Sequence, residues 1–218
     1  MRMKWLAVWL VVLCARGLEA TPKPHVISFG KWTPVKWYVG EKPMDLKVRA
    51  LFVDTRLKEY TLGAPHEVTD RLFVVRRAFR LNDNLPQESG AARWRWERGG
   101  WLMVDRLTGR VSQINLPEFD AYYSAASWYR DYVAYCGVSD DGKKLYAMVA
   151  QVGRRKAVLK KALGDAAGED EPDSECPAPQ WQRQPMRVMF EPDEDQKLTY
   201  AIRGHAVDLV VEEADEGE

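Results

Sequence analysis

The sequence has few of the features that reveal a function most directly. Basic and acidic residues number 32 each, so the chain carries no net charge at pH 7. A balanced charge creates no global field that would attract nucleic acid, and nucleic-acid binding is not expected. Only three histidines and three cysteines occur in 218 residues. Neither a CxxC pair nor a G-x-S-x-G element is present. The sequence therefore predicts no catalytic residue, no bound metal and no cofactor.

Long hydrophobic runs are also scarce, and the clearest one lies at the N-terminus. Arg2 and Lys4 precede an apolar run from Trp5 to Ala15. That run has the length of a signal-peptide core and is too short to span a bilayer. We predict that residues 1–20 are a signal peptide cleaved after Ala20. An uncleaved N-terminal anchor is the alternative.

Export determines how the rest of the chain is interpreted. The leader contains three basic residues and one acidic residue, so the mature chain has a net charge of −2. No later run is long and apolar enough to cross a membrane, and a periplasmic or secreted location is predicted. Two cysteines remain, Cys136 and Cys176, and an oxidising compartment favours a disulfide between them. Two unpaired thiols are the alternative.

The pattern that dominates the mature chain is alternation of apolar and polar residues, broken by short turns. This period of two is typical of β-strands, and sustained helical periodicity is lacking outside the leader. Arg93–Arg98 alternates strictly, and Gly99-Gly100 is expected to turn the chain into a partner strand that begins at Trp101. We predict an all-β fold. Only Glu118–Tyr129 could hold one short helical turn.

A strand-turn-strand unit recurs along the chain. It is found around four segments: Leu51–Leu62, Trp101–Leu116, Leu145–Leu159 and Leu198–Val211. Repeats of about 40–50 residues with several strands each are typical of β-propeller blades. A small or partial β-propeller built from antiparallel strand-turn-strand units is therefore predicted. A β-sandwich is the alternative, since short alternating strands serve both architectures.

One segment resembles a known family. Val138-Ser139-Asp140-Asp141-Gly142-Lys143-Lys144-Leu145-Tyr146 is similar to the S-P-D-G-K-x-L-Y/A element of TolB-type and YVTN-type β-propeller blades. The similarity is best over residues 132–161, and Asp140 stands where those families usually have proline. The resemblance implies a turn between two blade strands and a scaffold used for binding as often as for catalysis. It supplies no catalytic residue.

Two acidic stretches interrupt the pattern and complete the predicted organisation. A β-rich domain covers residues 21–163, an acidic mobile loop covers 164–180, and the last strands cover 181–212. Residues 213–218 form an acidic tail. Solvated charged segments of this composition are a common feature of loops and termini.

The aromatic residues are the best candidates for a functional surface. Trp94 and Trp96 are expected on one strand face, opposite Arg93, Arg95 and Glu97. The candidate partner-binding residues are Trp94, Trp96, Trp101, Tyr122, Tyr123 and Trp128. Aromatic rings beside arginine can contact sugar rings or a protein. Filling the core is the alternative role for the same rings.

These observations favour an exported, non-enzymatic binding module that presents aromatic and arginine side chains to a protein or glycan of the cell envelope. A cell-envelope hydrolase is an alternative, in which Glu118 and Asp120 would supply the paired carboxylates. A purely structural envelope protein is another. Calcium at the Asp140-Asp141 turn is not favoured, since the alternating ligands and closing carboxylate of calcium loops are missing.

Overall fold

The structure confirms the all-β class. The computed structural model describes the residues 23–39, 42–87, 90–166, 176–192, 196–203 and 206–210. The predicted signal peptide, most of the acidic loop and the acidic tail lie outside the described residues. Fifteen strands are present in the described part, which contains no helix. Glu118–Tyr129 contains one hydrogen bond of the helical type, from the Ser124 N–H to the Asp120 carbonyl at 2.8 Å, but it does not continue into a helix, and Ser127–Tyr129 form a short strand.

The N-terminal half forms a seven-stranded sheet, here called the first sheet. Its strands are β1 (Ile27–Phe29), β2 (Thr33–Val39), β3 (Lys42–Val53), β4 (Arg56–Glu67), β5 (Leu72–Asn82), β6 (Trp94–Asp105) and β7 (Val111–Ile114). Strands β2 to β6 follow one another as antiparallel neighbours, and β6 then pairs with β2 in parallel, where Trp37 lies opposite Trp96. The hydrogen-bonded strands therefore close into a five-stranded ring. Strand β1 pairs with β3, and β7 pairs with β6.

The C-terminal half forms two four-stranded antiparallel sheets. The second sheet contains β8 (Ser127–Tyr129), β9 (Tyr132–Val138), β10 (Lys144–Gln151) and β11 (Leu159–Asp165). The third sheet contains β12 (Gln180–Gln182), β13 (Arg187–Phe190), β14 (Leu198–Arg203) and β15 (Ala206–Val210). In both sheets, strands that follow in sequence are neighbours in space.

The second and third sheets pack face to face. Ala147, Val149, Phe190 and Ile202 are among the buried residues of their shared core. The predicted disulfide Cys136–Cys176 is present, with Cα atoms 6.1 Å apart, and both cysteines belong to this core. A separate apolar core lies within the first sheet, and its buried members are Leu51, Phe73, Val75, Leu102 and Val104.

All four predicted strand-turn-strand segments contain antiparallel hairpins, namely β3–β4, β6–β7, β10–β11 and β14–β15. The segment that carries the family resemblance, Val138–Tyr146, contains the turn between β9 and β10, the second and third strands of the second sheet. Four-stranded antiparallel sheets are the form of propeller blades, although the first sheet has a different form. The propeller and its family stay predictions.

Two strand ends in the structure differ from those predicted from the sequence. Gly99-Gly100 does not turn the chain, because β6 continues through both residues. The pairing changes from Ala78–Arg98 to Arg76–Trp101, so both glycines lie opposite Arg77 in a β-bulge. A Cβ on Gly99 would lie only 3.1 Å from the Arg77 Cβ, which explains the glycine. In addition, β11 extends to Asp165, inside the predicted acidic loop.

Candidate functional site

Trp94, the most exposed of the six predicted aromatic residues, lies beside Arg80. Strands β5 and β6 place Arg80 opposite Trp96 and Asn82 opposite Trp94. Trp94 and Trp96 share a strand face, as predicted, because they are two residues apart. Tyr60 lies opposite Ala78, one alternate position from Arg80 on β5. These four residues, Tyr60, Arg80, Trp94 and Trp96, are here called the Arg80 cluster.

Three rings contact the Arg80 guanidinium. Its central carbon lies 5.4 Å from the ring centroids of both Trp94 and Trp96, and 5.8 Å from that of Tyr60. Such distances are within the range of cation–π attraction. Trp96 and Tyr60 also contact each other edge to face at 5.0 Å, and both pack against the neighbouring apolar core. Trp94 is 57% exposed, so its ring remains accessible to a partner.

The loop before Trp94 is held by polar contacts. The Arg93 backbone N–H donates to the side-chain oxygens of Asn82 and Asn84, each at 3.1 Å. The Asp83 backbone N–H donates to the Arg93 carbonyl at 2.7 Å. Because these bonds join the last residues of β5 to the start of β6, they fix the strand end that carries Trp94.

The segment that contains Arg80, Trp94 and Trp96 is rich in arginine. Residues 76–98 contain six arginines and three acidic residues. The Asp83 carboxylate lies 3.4 Å from Arg95, and the Glu59 carboxylate lies 3.0 Å from Arg77. Within the described residues Arg80 has no carboxylate partner and contacts rings only. An exposed guanidinium with its N–H donors available can therefore recognise an anionic group.

Trp101 and Trp128 lie together at a different place. Their rings are 5.2 Å apart, and Trp101 is only 9% exposed. Trp128 also stacks on His66 at 5.9 Å, and the His66 Nε2 lies 2.8 Å from the Arg130 carbonyl oxygen. These contacts join the first sheet to the second. Burial at this junction removes Trp101 from the candidate surface and leaves Trp128 only partly accessible.

Tyr122 contacts a third group of residues. Its ring stacks on Trp37 at 5.8 Å, and its hydroxyl donates to the Glu97 carboxylate at 2.5 Å. Burial, followed by the hydrogen bond to Glu97, raises the pKa of Tyr122 to about 12. The ring is nevertheless 46% exposed. Tyr123 is half-buried against the core between the second and third sheets, and burial raises its pKa.

The six predicted residues therefore do not form one surface. Trp94 and Trp96 lie together in the Arg80 cluster, whereas Trp101 and Trp128 lie at the junction. A strand rises about 3.3 Å per residue, which places Trp96 and Trp101 about 16 Å apart along β6. Tyr60 and Arg80 were not among the predicted residues. Only the register between β5 and β6 shows which rings Arg80 contacts.

The carboxylates of the hydrolase alternative are engaged in local contacts. Glu118 accepts a hydrogen bond from Lys160 at 2.5 Å. The Asp120 carboxylate accepts the backbone N–H groups of Tyr122 and Tyr123, at 2.7 and 2.8 Å. Both residues line an open groove of about 430 Å³. Their contacts are those of an ion pair and a turn.

The side chains of His25 and Asp141 also make local contacts. The His25 ring is hydrogen-bonded to Asp54, and His205 lies outside the described residues. Asp141 accepts a hydrogen bond from the Ser139 hydroxyl at 2.5 Å and one from the Lys143 backbone N–H at 3.2 Å, as hairpin turns require. No group of three potential metal ligands occurs in the described part of the chain. Nor is any helix there long and apolar enough to cross a membrane.

Comparison with known proteins gives no relative. No family model, curated protein or solved structure matches this chain.

Proposed function

We propose that the chain is an exported, non-enzymatic binding module that presents the Arg80 cluster to a protein or glycan partner of the cell envelope. The observation that supports this most directly is the exposure of Trp94, at 57%, beside a guanidinium that has no carboxylate partner in the described structure. The exposed ring offers a partner a large apolar face, and the guanidinium beside it offers hydrogen-bond donors. Arginine and tryptophan are also the residues that most often dominate binding energy.

Two further features support this proposal. The disulfide Cys136–Cys176 is of a kind that persists in oxidising compartments, which agrees with export. The hydrogen bonds of the Arg93 backbone N–H to Asn82 and Asn84 fix the backbone next to Trp94 before a partner binds. A backbone ordered in advance loses less conformational entropy on binding.

The test is a screen of the purified protein on a glycan array, together with cross-linking of the protein to envelope fractions. We expect a specific partner that is lost with Trp94→Ala. Trp32→Ala is the matched control, because Trp32 is 44% exposed and is likewise contacted by an arginine, Arg49, at 4.3 Å. Binding that survives Trp94→Ala and is lost with Trp32→Ala would contradict the proposal.

A further inference from the structure

The Arg80 cluster offers two different kinds of contact side by side. The Trp94 ring is an exposed apolar surface, and the Arg80 guanidinium lies 5.4 Å from its centroid. A ligand of matching chemistry would carry a flat face of C–H groups and an anionic group close to it. A uronic acid has both features, because its carboxylate is attached directly to the sugar ring.

Among the described residues, the Arg80 guanidinium contacts aromatic rings and no carboxylate. Its contacts with Tyr60, Trp94 and Trp96 use the ring faces, so its N–H donors are not consumed by acceptor atoms of the described residues. The planar array of donors in arginine matches a carboxylate in a bidentate manner. Restriction by three rings also reduces the rotamer freedom that binding would otherwise remove.

The charge of Arg80 favours an anionic ligand over a neutral one. Residues 76–98 contain six arginines and three acidic residues, but Arg77 and Arg95 are paired with Glu59 and Asp83. The closest acid in sequence, Asp83, lies within 3.4 Å of Arg95 and does not neutralise Arg80. A positive segment attracts anions at low ionic strength, and this attraction weakens as salt is added.

We infer that the Arg80 cluster binds acidic glycans, with Trp94 stacking on a sugar ring and Arg80 pairing with the carboxylate of that same sugar. This inference rests on the proposed function and names its ligand class. A glutamate-rich peptide also carries carboxylates, but it has no ring to cover Trp94. The experiment therefore distinguishes such a peptide from an acidic glycan.

The experiment measures binding of the protein to three soluble polymers by calorimetry at low salt. The probes are polygalacturonate, the same polymer with its carboxylates converted to methyl esters, and poly-glutamate. The variants are Arg80→Gln, Trp94→Ala and the control Arg155→Gln. Arg155 is an exposed arginine between β10 and β11, far from the cluster in sequence, and its replacement removes the same charge.

We expect polygalacturonate to bind at least tenfold more tightly than its methyl ester. Arg80→Gln should remove that difference, Trp94→Ala should weaken both polymers, and Arg155→Gln should change affinity less than twofold. Circular dichroism of each variant verifies that it is folded.

Other results overturn the inference in distinguishable ways. Equal binding of polygalacturonate and its ester, insensitive to Arg80→Gln but lost with Trp94→Ala, would leave a glycan-binding module without carboxylate recognition. Equal or tighter binding of poly-glutamate with the same dependence on Arg80 would make the ligand an acidic peptide. No binding of polygalacturonate at millimolar uronate would reject the acidic glycan, and the array and cross-linking screen would then decide whether the proposed function survives.

Discussion

The two halves of the molecule are stabilised by different means. In the first sheet, arginines make ion pairs and ring contacts: Arg106 binds Glu67 at 2.7 Å and also lies 4.7 Å from the Phe73 ring centroid. In the second and third sheets, a continuous apolar core and a disulfide hold two four-stranded sheets together. The first half thus has an apolar core of its own and adds ion pairs and ring contacts of arginine, as in the Arg80 cluster. The second half buries its apolar side chains between two sheets.

Loss of the disulfide should have the largest effect, and it should fall on the C-terminal half. The bond joins cysteines 40 residues apart, and such a link stabilises a fold by about 4 kcal/mol in the chain-entropy model. We expect the double variant Cys136→Ser, Cys176→Ser to lose hydrogen-exchange protection mainly in residues 127–210. Equal loss of protection in the first sheet would contradict the distinction between the halves.

The substitution Gly137→Ala should be the next most damaging change. A Cβ there would lie 2.7 Å from the Met148 Cγ and 3.1 Å from the Glu118 backbone oxygen. Overpacking of this kind costs about 1–3 kcal/mol, which urea unfolding would measure. Gly100→Ala is the control in the first sheet, because its closest new contact is an ordinary 3.8 Å. If the two variants are equally stable, the close packing of the second sheet is disproved.

Tyr122→Phe tests the bond between the first sheet and the segment that leads to the second. Glu97 is only 6% exposed, and loss of the Tyr122 hydroxyl would leave its buried carboxylate without this donor. The expected loss is about 1–3 kcal/mol in the free energy of unfolding. A double-mutant cycle with Glu97→Gln should show coupling, since the two side chains share one bond. Additive effects would show that the hydrogen bond does not stabilise the protein.

Acid should have the smallest effect, and it should act first on the first sheet. Hydrogen bonds from Arg71 and Arg106 hold the pKa of Asp105 and of Glu67 below their usual values. A carboxyl with a lowered folded-state pKa stabilises the fold above its unfolded pKa of about 4, and this stabilisation is lost as the pH falls through the folded pKa. Water screens such exposed pairs, which limits the effect.

The measurement for this prediction is hydrogen exchange at about pH 6 and about pH 3, corrected for intrinsic rates. Protection should decline first around the Arg71–Asp105 and Arg106–Glu67 pairs. In the C-terminal half the pKa of Asp141 is also lowered, chiefly by its hydrogen bond from Ser139, but this residue lies in an exposed turn. If the second and third sheets lost protection at a higher pH than the first sheet, the first sheet would not be the more acid-sensitive half.

Sequence alternation predicted the fold class and the hairpins well, because strand period and turn chemistry are local properties. Pairing between distant strands is not local. Nothing near Trp37 or Trp96 in sequence shows that β2 and β6 close the ring in parallel. Gly99-Gly100 shows the same limit. Glycine is favoured both in turns and in β-bulges, so its presence in the sequence does not distinguish the two.

The candidate site was predictable only in part. Trp94 and Trp96 could be placed on one face from their spacing. Arg80 could not be assigned to them, because its neighbours depend on the register between β5 and β6. Equally, the sequence could not show that Trp101 is buried at the junction, since an aromatic residue in a strand suits either a core or a surface.

Ligand protection of tryptophan side chains tests the binding account most directly. Trp94 and Trp32 are both exposed, so N-bromosuccinimide should oxidise both in the free protein, and peptide mass spectrometry would report each separately. We predict that saturating polygalacturonate protects Trp94 and leaves Trp32 reactive. Protection of Trp32 with Trp94 still oxidised would contradict the assignment of the binding site to the Arg80 cluster.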